Sequence, residues 1–185
     1  MNGATWTPVT AGQQWVKACF GAVCDTLMVT VVPNSPTTLV VSPLTTTITA
    51  DDSLDIVAMV TDNWGNEVVG ETITFVPSDG SMNGATFHPV SAGAQTVDVT
   101  WQSSTITVDV EVLPGAPDQI LLSGCSGTVP AGTTCDVTHV VVDQHGNEVL
   151  GEPITYTPSN GSMSSTMPNV YLPYTAGSHT IRVQH

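Results

Sequence analysis

The residues best able to do chemistry in this chain are two matching sets of oxygen donors. Asp62, Asn66 and Glu67 stand close together, and Asp143, Asn147 and Glu148 repeat them 81 residues later. Carboxylates and amides so grouped could offer oxygens to Ca²⁺ near a domain end, where such an ion would stiffen an array. Calcium, however, takes six to eight oxygens, and no EF-hand or Asp-x-Asp arrangement accompanies either set. The alternative is a turn: Asn63-Trp64-Gly65-Asn66 needs a positive φ at Gly65, with short polar side chains bonding their own backbone. The six residues are read as turn residues, with calcium the competing use and no cofactor expected.

The four cysteines form two close pairs. Cys19 and Cys24 flank Phe20-Gly21-Ala22-Val23, where a tight hairpin would join two strands, and Cys125 and Cys135 match Leu44 and Leu54 at the 81-residue offset. The spacing is neither Cys-x-x-Cys nor accompanied by His at ligand spacing, so disulfides are expected rather than a metal site. Disulfides persist in oxidising compartments and place the chain outside the cell or on its surface. Asn160-Gly161-Ser162 is a glycosylation sequon in a loop, usable only in a host that glycosylates.

The histidines (His88, His139, His145, His179, His185) are scattered, without partners at ligand spacing. His139 matches Ala58 and is expected on the inward face of a strand. No nucleophile elbow, phosphate loop or dinucleotide fingerprint occurs, and no Ser/His/Asp set can be nominated, so the chain is not expected to be an enzyme. Trp6 matches Phe87, an exchange that points to a core position, whereas Trp64 matches His145 in a turn and is expected to be exposed.

These residues must be held by strands. The chain has 13 Pro and 16 Gly at short intervals, and apolar residues alternate with polar ones. Ile106, Val108, Val110 and Val112 interleave with Thr107, Asp109 and Glu111, as do Leu54, Ile56, Ala58 and Val60 with their neighbours, which buries one face of each strand and wets the other. Ile73 and Phe75 open a further strand, and Asp79-Gly80 and Ala92-Gly93 mark turns.

The offset extends beyond single residues. Residues 62–82 and 143–163 are identical at 14 of 21 positions, and Met1-Asn2-Gly3-Ala4-Thr5 recurs as Met82-Asn83-Gly84-Ala85-Thr86. A unit of this length suits a small sandwich of about seven strands. Pro33-Asn34-Ser35-Pro36 and Pro114-Gly115-Ala116-Pro117 read as short, proline-stiffened joints. The expected domains are 1–33, the last strands of one sandwich; 34–114, a complete one; and 115–185, one lacking its last strand. Met1 reads as an internal position, not as the head of a signal peptide.

The pattern Val-Thr-Asp62-x-x-Gly65-Asn66-x-Val68-x-Gly70-x-x-Ile73-Thr-Phe75, repeated with Tyr156 in place of the phenylalanine, resembles the bacterial Ig-like domains of the invasin and intimin type. The resemblance implies an all-β chain of tandem antiparallel Ig-like sandwiches, projecting a functional tip from a microbial surface and not catalysing. Related modules also decorate virus particles.

Charge narrows the partners. Lys17 and Arg182 are the only strong bases against sixteen carboxylates, for a net charge of −14. Nucleic-acid binding requires clustered Lys and Arg along the phosphates, and anionic membranes make a similar demand. Neither is expected, and no apolar run is long enough to span a bilayer. What remains is a stiff spacer in a filament, stalk or adhesin, or an adhesive module gripping a host glycan or protein near Trp64 or His145. Neighbouring copies could also pair through strand complementation, residues 1–33 of one chain completing the last unit of the next.

Overall fold

The computed structural model describes residues 4–185; Met1, Asn2 and Gly3, and with them the start of the match to Met82, lie outside the described residues. The described residues form strands and turns only. In chain order the strands are β1 (Gly12–Phe20), β2 (Val23–Val31), β3 (Thr38–Ser42), β4 (Thr45–Thr49), β5 (Leu54–Asp55), β6 (Val57–Thr61), β7 (Thr74–Pro77), β8 (Ser81–Asn83) and β9 (Thr86–His88). They continue with β10 (Gly93–Trp101), β11 (Ser104–Leu113), β12 (Pro117–Gly124), β13 (Cys135–Asp143), β14 (Thr155–Pro158), β15 (Ser162–Met163), β16 (Val170–Leu172) and β17 (Ile181–Gln184). Val- and Thr-rich composition explains the outcome, because β-branched side chains fit a pleated, half-buried surface.

Two compact units are distinguishable: Met1–Thr46 with Leu54–Phe87 and Gln95–Val110, and Thr47–Ser53 with His88–Ala94 and Glu111–His185. In the first, β1 and β2 form an antiparallel hairpin, and β3 pairs antiparallel with β6. Its core gathers Leu39, Val41, Ile56, Val60, Phe87, Val97, Val99, Val108 and Val110. The alternation in β11 holds: Val108, Val110 and Val112 are buried while Thr107, Asp109 and Glu111 face water. In the second unit β12, β13, β16 and β15 form one sheet and β14 pairs with β17. Val137, Val141, Val142, Val170 and Tyr171 are buried there.

The stretch 54–60 is two short strands, not one. Leu54 and Asp55 pair with β9, the ladder breaks at Ile56, and Val57–Thr61 pairs with β3. The same exchange occurs within β13, whose first residues face β16 and whose remainder faces β12. A strand that changes partners mid-way must turn between two layers, and alternation of side chains cannot reveal the switch.

The registers also expose an insertion. Val97 lies opposite Pro77, and Ile181 lies opposite Pro158. The offset is therefore 81 residues at β14 but 84 at β17. The three extra residues fall in the loop between β15 and β16, leaving the turn residues upstream in strict register.

Candidate functional site: a duplicated carboxylate–amide clasp

The Asp62-to-Asn66 segment closes as a turn in which Gly65 adopts φ 81° and its N–H donates to the Asp62 carbonyl at 3.1 Å. The Asp62 side chain turns back over this loop and is almost fully buried, only 3% exposed. Its Oδ1 accepts the backbone N–H groups of Trp64 and Asn66, each at 2.9 Å. Its Oδ2 accepts the N–H of Asn34, in the proline-bounded segment, and the Asn66 amide, both at 2.9 Å. The Asn66 amide also donates to the Val9 carbonyl at 2.9 Å, and its oxygen accepts the Ala11 N–H at 2.8 Å. Three separate chain segments, 9–11, 34 and 62–66, thus meet on two side chains.

The arrangement recurs at Asp143, 2% exposed. Oδ1 accepts from the N–H groups of His145 (2.9 Å) and Asn147 (2.8 Å); Oδ2 accepts from Gly115 N–H (2.7 Å) and the Asn147 amide (2.8 Å). Asn147 in turn donates to Val90 O and accepts from Ala92 N–H, each at 2.8 Å. Every participant lies 81 residues from its counterpart: Val9 and Val90, Ala11 and Ala92, Asn34 and Gly115, Asp62 and Asp143, Trp64 and His145, Asn66 and Asn147.

The electrostatics follow from the donors. Burial pushes both carboxyls up, but the Asn66 amide and the N–H groups of Asn34, Asn66 and Trp64 outweigh it and hold Asp62 at about 2. Asp143 is held at about 2 in the same way, burial being overcome by the Asn147 amide and the N–H groups of Gly115, Asn147 and His145. A buried ionised carboxylate is tolerable only when its lone pairs are so occupied. This is the chemistry of a turn anchored to its neighbours. Calcium needs converging oxygens free of donors, and here each carboxylate oxygen already faces N–H groups. Glu67 and Glu148 reach the turns through backbone bridges with Thr61 and Val142. Among the described residues no three of His, Cys, Asp or Glu cluster as a metal site.

The second clasp has an additional part. Asp51 accepts from the Ala116 N–H and the Gln144 amide, each at 2.8 Å, and lies 3.7 Å from His145 Nε2. Its carboxylate sits where a side chain at residue 115 would go, since a Cβ on Gly115 would lie 2.4 Å from it.

The cysteines bond as the spacing anticipates, Cys19 to Cys24 and Cys125 to Cys135. Cys19 and Cys24 are direct cross-strand partners in the β1–β2 hairpin. At the equivalent place in the β10–β11 hairpin, the hydroxyls of Thr100 and Thr105 bond at 2.9 Å. Asn160 sits in the turn between β14 and β15, its side-chain oxygen buried without a partner and its carbonyl accepting the Tyr171 hydroxyl. One expectation fails. Trp6 is 43% exposed although Phe87 is fully buried, because no described strand carries residue 6. His139 shares the inward face of β13 with Val137 and Val141 and stands opposite Leu122, but it is exposed there and bonded to the Tyr156 hydroxyl. Trp64 is exposed as anticipated.

No protein-family model and no curated protein matches this sequence. Solved structures do. Invasin, described as a bacterial integrin-binding protein, is 18% identical with a TM-score of 0.48, covering 94% of this chain and 42% of invasin. Domains 4–9 of the surface layer protein SbsC are 20% identical, with a TM-score of 0.35 over 96% of this chain and 34% of that one. The Escherichia coli adhesin FdeC is 17% identical and superposes with a TM-score of 0.52 over 94% of this chain and 69% of the adhesin. The chain shares its fold with the FdeC adhesin, an all-β architecture of antiparallel Ig-like sandwiches. Within that fold the clasps occupy the turns after β6 and β13, and two disulfides fit an extracellular or cell-surface location. The chain spans about two fifths of invasin's length.

Proposed function

We propose that this chain is a non-catalytic structural module of a surface protein, acting as a stiff spacer in a filament, stalk or adhesin. One observation carries the reading: the same clasp, with the same donors and acceptors, recurs at both proline-bounded segments. A hydrogen-bonded tie from the turn to residue 34 or 115 and to the preceding Val9–Ala11 or Val90–Ala92 loop resists bending there. An enzyme would concentrate its special geometry at one place, whereas this chain repeats its own. The presence of adhesins and surface-layer proteins among its structural relatives supports the same reading.

The direct test is small-angle scattering with single-molecule stretching of the wild type and of the Asn66→Ala/Asn147→Ala double variant. The proposal expects both chains folded, with the variant sampling a broader range of end-to-end distances. Identical distributions would overturn it. A second reading, adhesion to a glycan or protein, draws support from Trp64, exposed at the tip of the first clasp turn. Binding on a glycan array that is lost in Trp64→Ala would favour it.

A further inference from the structure

The two disulfides differ in how far they open to solvent. Cys19 and Cys24 are both exposed near the tip of the β1–β2 hairpin, whereas Cys125 and Cys135 are half-buried. The exposure belongs to this place in the fold. Thr100 and Thr105 hold the same place in the β10–β11 hairpin, where β4 and β7 flank the pair of strands. There Thr105 is exposed and Thr100 half-buried, on the wet face that also carries Asp98 and Asp109. Nor does the hairpin need the bridge. Nine register pairs, from Gly12↔Val31 to Phe20↔Val23, already fix β1 against β2, and two bonded hydroxyls serve at Thr100 and Thr105. Side chains alternate along a strand, so Lys17, the only lysine of the chain, shares the outer face with Cys19 two residues later. The residue that follows Cys24 along β2 is a carboxylate, Asp25.

We propose that Cys19–Cys24 is a thiol-exchange site, at which a thiol-bearing partner becomes covalently joined to the chain through Cys24. The incoming thiolate attacks Cys24 Sγ. A new sulfur–sulfur bond forms there as the Cys19–Cys24 bond breaks, and the electron pair leaves on Cys19 Sγ. One disulfide replaces another, so no oxidant or reductant is consumed. The departing charge gathers on the strand that carries Lys17 and away from Asp25, and a stabilised thiolate leaves faster. Exposed bridges are the labile class, and half-buried Cys125–Cys135 is the structural one. All four cysteines are bridged, so the attacking thiolate comes from another molecule, either a small thiol or a cysteine of another polypeptide. The inference goes beyond the spacer reading and does not depend on it, because no residue of either clasp takes part.

The test treats the folded 185-residue chain at neutral pH with glutathione and, separately, with a folded protein that carries one surface cysteine. Free thiols are trapped with iodoacetamide, and the products are mapped by fragmentation mass spectrometry. The expected product is a mixed disulfide on Cys24 with Cys19 alkylated, formed at least roughly tenfold faster than Cys125–Cys135 opens. In Lys17→Gln, an exposed position, exchange at Cys19–Cys24 slows roughly threefold while the rate at Cys125–Cys135 stays the same. An adduct with glutathione alone assigns the site to small thiols, and an adduct with the protein as well assigns it to polypeptide thiols. The proposal is overturned if neither thiol forms an adduct, or if the two bridges open at equal rates. It is equally overturned if the adduct sits on Cys19 as often as on Cys24, or if Lys17→Gln leaves the rate unchanged.

Discussion

Residues 38–113 and 117–184 place equivalent side chains on equivalent strands, yet bury them differently. Val97 and Val99 are fully enclosed, whereas Ile181 and Val183 remain half-buried; Phe87 is sealed, and Tyr171 keeps its hydroxyl bonded to the Asn160 carbonyl. The inward pattern is the same, so the difference lies in cover: β10 has β11 beside it, and among the described residues β17 pairs with β14 alone. Alternation in a sequence thus specifies which face a strand offers to a core, while the degree of burial depends on the neighbour that closes it. The clasps behave in the opposite way. Their atoms match residue for residue, because each joins a turn to main-chain groups of two other segments held at the same places.

The largest effect that sharpens this contrast is Phe87→Ala. Removing a sealed aromatic leaves a cavity, with a cost of about 3–5 kcal/mol in denaturant unfolding. Leu122→Ala, at a half-exposed position of β12, is expected to cost less than about 1 kcal/mol, because half of the side chain is already in water. Equal losses would mean that Leu122 is as well covered in solution as Phe87.

Next in size are the disulfides. Reducing the Cys19–Cys24 and Cys125–Cys135 bridges is expected to lower stability by about 2–3 kcal/mol each in the chain-entropy model, for loops this short. The Thr100–Thr105 pair shows that the fold can be built without a bridge at that hairpin, so the reduced chain should retain its far-ultraviolet spectrum at neutral pH. Loss of the spectrum on reduction would show that the bridges, not the cores, hold the strands.

Asn147→Ala is expected to cost about 1–3 kcal/mol, since it strips hydrogen bonds from Val90 O, Ala92 N–H and Asp143 together. Asn66→Ala should cost a similar amount, because its partners correspond one for one. A large disparity between the two, measured by denaturant unfolding, would break the equivalence. The smallest effect is at the hairpin tips. Gln102 adopts φ 53° where the β1–β2 hairpin has Gly21 at φ 60°, so Gln102→Gly is expected to stabilise by roughly 0.5–1 kcal/mol in thermal unfolding.

Much of this was legible from residue types. Period-two alternation located β11 and the β5–β6 stretch, the repeated Asp and Asn marked both turns, and cysteine spacing named both bridges. What the side chains conceal are the partners of Asp62 and Asn66, because the N–H groups of Asn34 and Ala11 and the carbonyl of Val9 belong to the main chain and carry no residue signature. The 81-residue match of Pro8-Val9 with Pro89-Val90 was the available hint. Asp51 was hidden for another reason: its role depends on the closeness of Gly115, a distance and not a type. Trp6 departs from the burial of Phe87 because no described strand carries residue 6.

The central claim is that two buried, ionised carboxylates tie the chain at both turns. Their folded-state pKa values lie below the ordinary carboxylate value of 3.8, so the stability they contribute is fully present above about pH 4 and is lost as pH falls through about 2. An amide-resolved NMR titration reads this directly. The account predicts that the N–H resonances of Asn34, Trp64 and Asn66, and those of Gly115, His145 and Asn147, move together with a midpoint near pH 2. Midpoints near 4 at either set would contradict it.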